Sequence, residues 1–135
     1  MENCIFCKII KGEIPCNKVY EDNNTIAFLD IAPASKGHTL VLPKKHYKIL
    51  PEMDDENLKF LMQSVRKITK ALLKYSQGLN LVQNNEKVSG QLVPHVHFHL
   101  IPRNEGEDVK IGKWASHKYE DNEIDDTTNK IKSFL

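Results

Sequence analysis

Residues 95–101 read His-Val-His-Phe-His-Leu-Ile, three imidazoles alternating with apolar side chains. In a β-strand successive side chains point to opposite faces. The run therefore predicts a strand over His95–Ile101, with His95, His97 and His99 on one face and Val96, Phe98 and Leu100 on the other. The apolar face can pack beneath a helix. The histidine face adds little to a core. A solvated face is the bland alternative, but histidine is seldom a default surface residue, and its neutral ring suits ligation and catalysis. The run thus asks for a helix on one side and a site on the other.

Working outward, the helix is found upstream. Asp54 can cap a segment in which Leu58, Leu61, Met62, Val65, Ile68 and Leu72 recur at three- and four-residue spacings, and Gly78 can end it. Leu79–Gln83 reads as a strand, joined to the histidine run by a polar loop holding Ser89-Gly90-Gln91. Nearer the start, Lys18–Glu21 and Thr25–Asp30 flank Asp22-Asn23-Asn24, a hairpin pattern. A loop over 32–37 leads to a third strand, His38–Leu42, which Pro43 stops. Ile5–Ile10 reads as a short helix terminated at Gly12. From Arg103 the chain is polar, with a further helix around Ile124, Ile131 and Leu135. Helices do not follow each strand, so a doubly wound parallel sheet is not expected. The order predicts an α+β fold, an antiparallel sheet of about five strands with the long helix on one face. One domain over 1–135 is expected, with its core in 4–103 and a polar extension over 104–135.

The 135 residues are 40% hydrophobic and 27% charged, with a formal net charge of +1. This is ordinary globular composition, without the basic footprint of a duplex-binding protein. Glu2, Lys8, Lys11 and Glu13 interrupt the first twenty residues, and no apolar run approaches the length needed to span a bilayer. A cytoplasmic protein with neither membrane nor nucleic-acid partner is expected. In a reducing compartment, Cys4-x-x-Cys7 reads as redox chemistry or as half of a metal site. Two thiolates and two imidazoles would make a tetrahedral zinc set, and His46 and His95 both fall near one end of the predicted sheet. Gly37-His38 can bring a further imidazole beside the triad. The backbone amides of Ser89-Gly90-Gln91 could hold an anion.

The run ending Ile101-Pro102-Arg103 resembles the signature of the histidine-triad family of nucleotide hydrolases and transferases. The likeness extends to Cys4–Ile10 with Glu13-Ile14-Pro15, to Ala27–Ile31 and to Gly37–Lys44, in the family's order. It implies a homodimer whose two sheets join into one. It also implies a purine-nucleotide pocket lined by Phe6, Ile9, Phe28, Asp30, Ile31 and Asn84, with Gly90 in the phosphate loop and Asp30 holding the ribose hydroxyls. By the same resemblance His97 is the nucleophile, and its second nitrogen is held by the His95 carbonyl. His99 meets the phosphate with Gln91 beside it, and Cys4, Cys7, His46 and His95 hold a structural zinc. His38 would orient the cluster. Leu92 departs from the pattern, since many relatives carry Ser or Thr there. The expected reaction cleaves at the α-phosphate of a dinucleoside polyphosphate or nucleoside phosphoramidate through a nucleotidyl-histidine. The alternatives are a metal-dependent hydrolase built on the histidines and a nucleotide-binding protein without turnover.

Overall fold

In the computed structural model, which describes residues 3–112 and 114–135, Asp54 opens the longest helix as the sequence predicts. Its Oδ1 accepts the Asn57 amide at 2.8 Å, and its Oδ2 accepts the Tyr47 hydroxyl at 2.8 Å. Both bonds hold its carboxyl down at about 2. The helix ends at Tyr75, short of Gly78. Ser76 closes it, donating its amide and its hydroxyl to the Leu72 carbonyl, and Gly78 instead opens the next strand.

In chain order the elements are α1 (Ile5–Ile10), β1 (Lys18–Glu21), β2 (Thr25–Leu29), β3 (Thr39–Pro43), α2 (Asp55–Tyr75), β4 (Gly78–Gln83), β5 (Phe98–Arg103) and α3 (Glu123–Lys132), with single 3₁₀ turns at Leu50–Glu52 and Lys87–Ser89. The strands form one sheet in the order β1-β2-β3-β5-β4, every neighbouring pair antiparallel. The α+β expectation holds.

The sheet has two differently furnished faces. Ala27, Val41 and Leu100 point to α2 and pack with Val96, Leu61, Val65 and Ile68. Ile26, Phe28, Leu40 and Leu42 point the other way, toward α1, where Phe6, Cys4 and Cys7 cover them. The period-two alternation of β2 and β3 thus divides one run of apolar residues between two cores.

The last strand differs from expectation. Its ladder covers Phe98–Arg103, so His95, Val96 and His97 precede it. The physical reason is local. Pro43, at the end of β3, has no N–H to extend the ladder, and the Val96 amide donates instead to the Tyr47 carbonyl at 2.8 Å. Side chains still alternate: Val96 and Leu100 are buried in the α2 core, while His95 and His97 lie against Phe6 on the opposite face. Helix α3 forms as expected, with no buried residue.

Candidate functional site

Two sites share the α1 face. The first gathers Cys4, Cys7, His46 and His95, three of them buried. Cys4 caps α1, its Sγ accepting the Cys7 amide, so the helix start itself brings the two thiols together. Cys4 Sγ lies 3.5 Å from His95 Nδ1. Cys7 Sγ lies 3.3 Å from His46 Nδ1 and 3.6 Å from His95 Nδ1. The two Nδ1 atoms are 3.1 Å apart. A zinc tetrahedron with bonds of about 2.3 Å to sulfur and about 2.0–2.1 Å to nitrogen has sulfur–nitrogen edges of about 3.5 Å and a nitrogen–nitrogen edge of about 3.3 Å. The donor set fits such an ion. His95 Nε2 faces the Pro43 carbonyl at 2.8 Å; a carbonyl only accepts, so the proton sits there and Nδ1 is bare toward the sulfurs. Burial, and then the neighbouring Cys4, push the Cys7 thiol up, a cost that a divalent cation among these ligands would offset.

The second site is a chain of rings whose proton positions follow from fixed backbone partners. The Ala34 amide donates to His38 Nδ1 at 3.0 Å. Burial lowers the His38 pKa, so its ring is neutral at pH 7 and Nε2 carries the proton. That proton is donated to His99 Nδ1 at 2.9 Å; Asp30 Oδ2 is farther, at 3.7 Å. Burial drives His99 down to about 4, so its own proton resides on Nε2. His97 Nδ1 lies 2.7 Å from the His95 carbonyl and must donate to it. With its pKa also lowered by burial, His97 is neutral and presents an unprotonated Nε2. The chain therefore offers a bare nitrogen at His97 beside an N–H at His99, their ring centroids 4.8 Å apart. Phe6 of α1 meets the His97 ring edge-on at 5.0 Å, so the helix pinned by the thiols also fixes this imidazole.

His97 and His99 open into a cavity of about 300 Å³. Phe6, Ile9, Phe28, Asp30, Ile31 and Gly90, the residues for which the family resemblance implies a nucleotide pocket, line it. Ile5, Ile14, Pro15, Cys16, Leu29, Leu40, Leu92 and Val93 line it as well. Ile14 and Pro15 were visible within the family-like opening, whereas nothing in the sequence marked Cys16 as a wall residue. Asp30 accepts the Ala32 amide through Oδ1 at 2.9 Å, leaving Oδ2 for a ligand.

Two predicted contacts lie elsewhere. Asn84 stands behind Gly90, where a Cβ would meet Asn84 Nδ2 at 3.5 Å, an ordinary contact; it is the φ of +101° that calls for glycine there. Gln91 is buried, its Oε1 accepting the Glu86 amide at 2.8 Å and its Nε2 donating to the Lys48 carbonyl at 2.6 Å. The loop amides expected to hold an anion are also committed. Those of Ser89 and Gln91 donate to Glu86 O and that of Gly90 to Lys87 O. The Lys87–Ser89 turn satisfies them internally, so this loop shapes the wall rather than binding a phosphate through these amides.

Comparison with known proteins finds relatives that span most of the chain. The HIT domain family model matches residues 11–106. The adenosine 5'-monophosphoramidase hnt1 of Schizosaccharomyces pombe is 44% identical over 135 residues, spanning 96% of this chain and 99% of its own length. A crystal structure of a HIT family member from Bacillus subtilis superposes with a TM-score of 0.91 at 42% identity, covering 98% of this chain and 97% of that one. A Zn-bound histidine triad protein from Mycobacterium smegmatis superposes with a TM-score of 0.76 at 28% identity, covering 99% of both chains.

Proposed function

The chain belongs to the HIT domain family, and on that premise we propose that it cleaves purine nucleotide derivatives at the α-phosphate through a covalent nucleotidyl intermediate on His97. It is a nucleotide hydrolase or nucleotidyl transferase of that family. The observation that carries the reading is the bare Nε2 of a buried, neutral His97, its other nitrogen donating to the His95 carbonyl and its ring opening into the cavity. A neutral imidazole attacks phosphorus without a base, and the covalent intermediate splits one displacement into two. The leaving group departs, and water then releases the nucleoside monophosphate. His99 Nε2–H faces the charge that develops on the phosphoryl oxygens, and His38 holds His99 in that tautomer. Gln91 holds the loop that carries Gly90 and Leu92. Phe6, Ile9, Phe28 and Ile31 receive the base and Asp30 the ribose hydroxyls, while Asn84 lies behind Gly90. The substrate is a nucleoside phosphoramidate or a dinucleoside polyphosphate, the former being what the S. pombe relative's name describes.

Cys4, Cys7, His46 and His95 hold a structural zinc in this reading, since four protein ligands leave no position open for substrate. The ion's work is to fix α1, and with it Phe6, on the sheet. Two copies form a homodimer; β1 and β4 are the edges at which sheets could join.

A metal-dependent hydrolysis has one observation in its favour, the donors of Asp30, His38 and His99 within 4.8 Å of one another. The tautomer opposes it. The Ala34 amide requires the His38 proton on Nε2, the atom that would have to face an ion. Single-turnover reaction with adenosine 5'-monophosphoramidate separates the readings. The covalent route releases ammonia in a burst and leaves nucleotide on the protein, with or without chelator, whereas a metal hydrolase loses turnover to a chelator at once and a binding protein releases nothing.

A further inference from the structure

The ring chain that ends at His99 begins on the loop over 32–37, and that loop is tied to the strand that carries His99. β3 pairs with β5 as far as Thr39 opposite Leu100. Beyond that point Pro102 of β5, a fully buried residue, accepts the Ser35 hydroxyl through its carbonyl at 2.6 Å. Ser35 is used a second time, because its own carbonyl accepts the His38 amide at 3.1 Å. Between the two lies Gly37, at a φ of +90°, where a Cβ would meet the Tyr75 ring at 2.8 Å and Pro102 at 3.2 Å. The loop is thus closed down onto β5. In that position the Ala34 amide reaches His38 Nδ1 at 3.0 Å.

That amide decides the direction of the whole chain. With the His38 proton on Nε2, His99 Nδ1 accepts it and the His99 Nε2–H faces the cavity. Were the loop to lift and the His38 proton to move to Nδ1, its Nε2 would be bare. His99 would then have to donate from Nδ1, and it would present a lone pair to the phosphoryl oxygen. A donor would become a repulsive contact where negative charge develops. Resting on the function proposed above, we propose that Ser35 is a positioning residue for the reaction. Its hydroxyl, held on the Pro102 carbonyl, clamps the loop so that Ala34 fixes the His38 tautomer and His99 keeps its N–H toward the phosphate. Among the described residues Ser35 is not part of the nucleotide cavity's lining, so it acts on the chemical step and not on binding. A hydroxyl that only closed a turn would cost stability when removed and leave the rings alone.

The test compares the full chain with Ser35→Ala and Ser35→Thr. Proton–nitrogen correlation spectra of protein labelled at histidine show which nitrogen of each ring carries its proton, and they need no turnover. Wild type should show Nε2–H at both His38 and His99. In Ser35→Ala the signals of both rings should move together toward the Nδ1–H form, and Ser35→Thr, which keeps the hydroxyl, should match wild type. With adenosine 5'-monophosphoramidate, kcat of Ser35→Ala should fall about three- to tenfold, the bias that one hydrogen bond places on a tautomer, while KM changes by less than about twofold. Ser35→Thr should restore kcat. Unchanged tautomers in Ser35→Ala overturn the proposal, whatever happens to the melting temperature. Shifted tautomers with an unaltered kcat, in a protein whose His97 is adenylylated, overturn the role of Ser35 in the reaction. A wild type that neither turns over nor becomes adenylylated overturns the function itself and the reaction role with it.

Discussion

The two faces of the sheet are built from the same strands by the same alternation, yet they bury different things. Against α2 the sheet buries Ala27, Val41, Val96 and Leu100 with Leu61, Val65 and Ile68, a mainly apolar contact in which the buried Thr25 and Ser64 hydroxyls satisfy each other at 2.6 Å. Against α1 it buries His95 at 0% exposure and His97 at 6%, together with two thiols. A polar group buried without a partner costs about 1–3 kcal/mol, and the histidine face avoids this through fixed acceptors, Pro43 O for His95 and His95 O for His97. The α2 face therefore supplies stability and the α1 face directs protons. Substitutions on the two faces should separate these properties.

The largest separation is expected at His97. Replacing His97 with Asn removes the nitrogen proposed to attack while the α2 face is untouched, so kcat/KM should fall at least about 10³-fold, roughly 4 kcal/mol of barrier, with the urea midpoint little changed. Turnover within tenfold of wild type would show that the face carries its chemistry elsewhere. Leu61→Ala is the converse. Leu61 is fully buried, and its truncation should cost about 2–5 kcal/mol of stability, read from denaturant melts, while kcat per folded molecule stays near wild type. A parallel loss of kcat would mean the faces are not separable. Cys4→Ser sharpens the contrast within the α1 face. It should abolish stoichiometric zinc by elemental analysis, lower the Tm and raise KM more than it lowers kcat, because α1 carries Phe6 and Ile9 into the cavity.

Smaller effects should follow at the cavity edge and in acid. Asp30→Ala should weaken nucleotide binding about tenfold, since a carboxylate bond to a ribose hydroxyl is worth about 1.5–3 kcal/mol. Calorimetry would show the difference between ribo- and dideoxyribonucleotides vanishing in the variant. Burial holds His99 near 4 and also lowers His38, whereas an unfolded histidine titrates near 6.5. Between those values the unfolded state binds more protons. Stability should therefore fall as pH drops from about 6.5 toward 4 and show no His99 contribution to the slope above about 6.5. His99→Asn should flatten that acid limb in chemical denaturation; an identical limb would place the titration in other groups.

How far the sequence could be read divides along the same line. The α2 face was legible because its evidence is periodic: one capping Asp54 and a stripe from Leu58 to Leu72 depend on local geometry alone. The thiol–imidazole set was legible because Cys-x-x-Cys is rare chemistry, and the turn of α1 that brings Cys4 to Cys7 is local too. What escaped depends on where backbone groups find partners. The strand was expected from His95, but Tyr47 O takes the Val96 amide and the ladder starts at Phe98. The Ser89–Gln91 amides looked free and are closed into a turn, and the Gln91 side chain is held by Glu86 and Lys48. Nor could residue types show that Ala34 sets the tautomer of His38 and thereby of His99. Such assignments belong to the folded backbone.

The most direct test of the central claim is to mix the protein with adenosine 5'-monophosphoramidate, stop the reaction within the first turnover by denaturation at alkaline pH, where a phosphorus–nitrogen bond to histidine survives, and weigh the intact chain and its peptides. The account predicts one adenylyl group per chain, located on His97 and absent from the His97→Asn protein. A burst of released ammonia with no adenylyl group on the chain, or with the group on any residue other than His97, would contradict it.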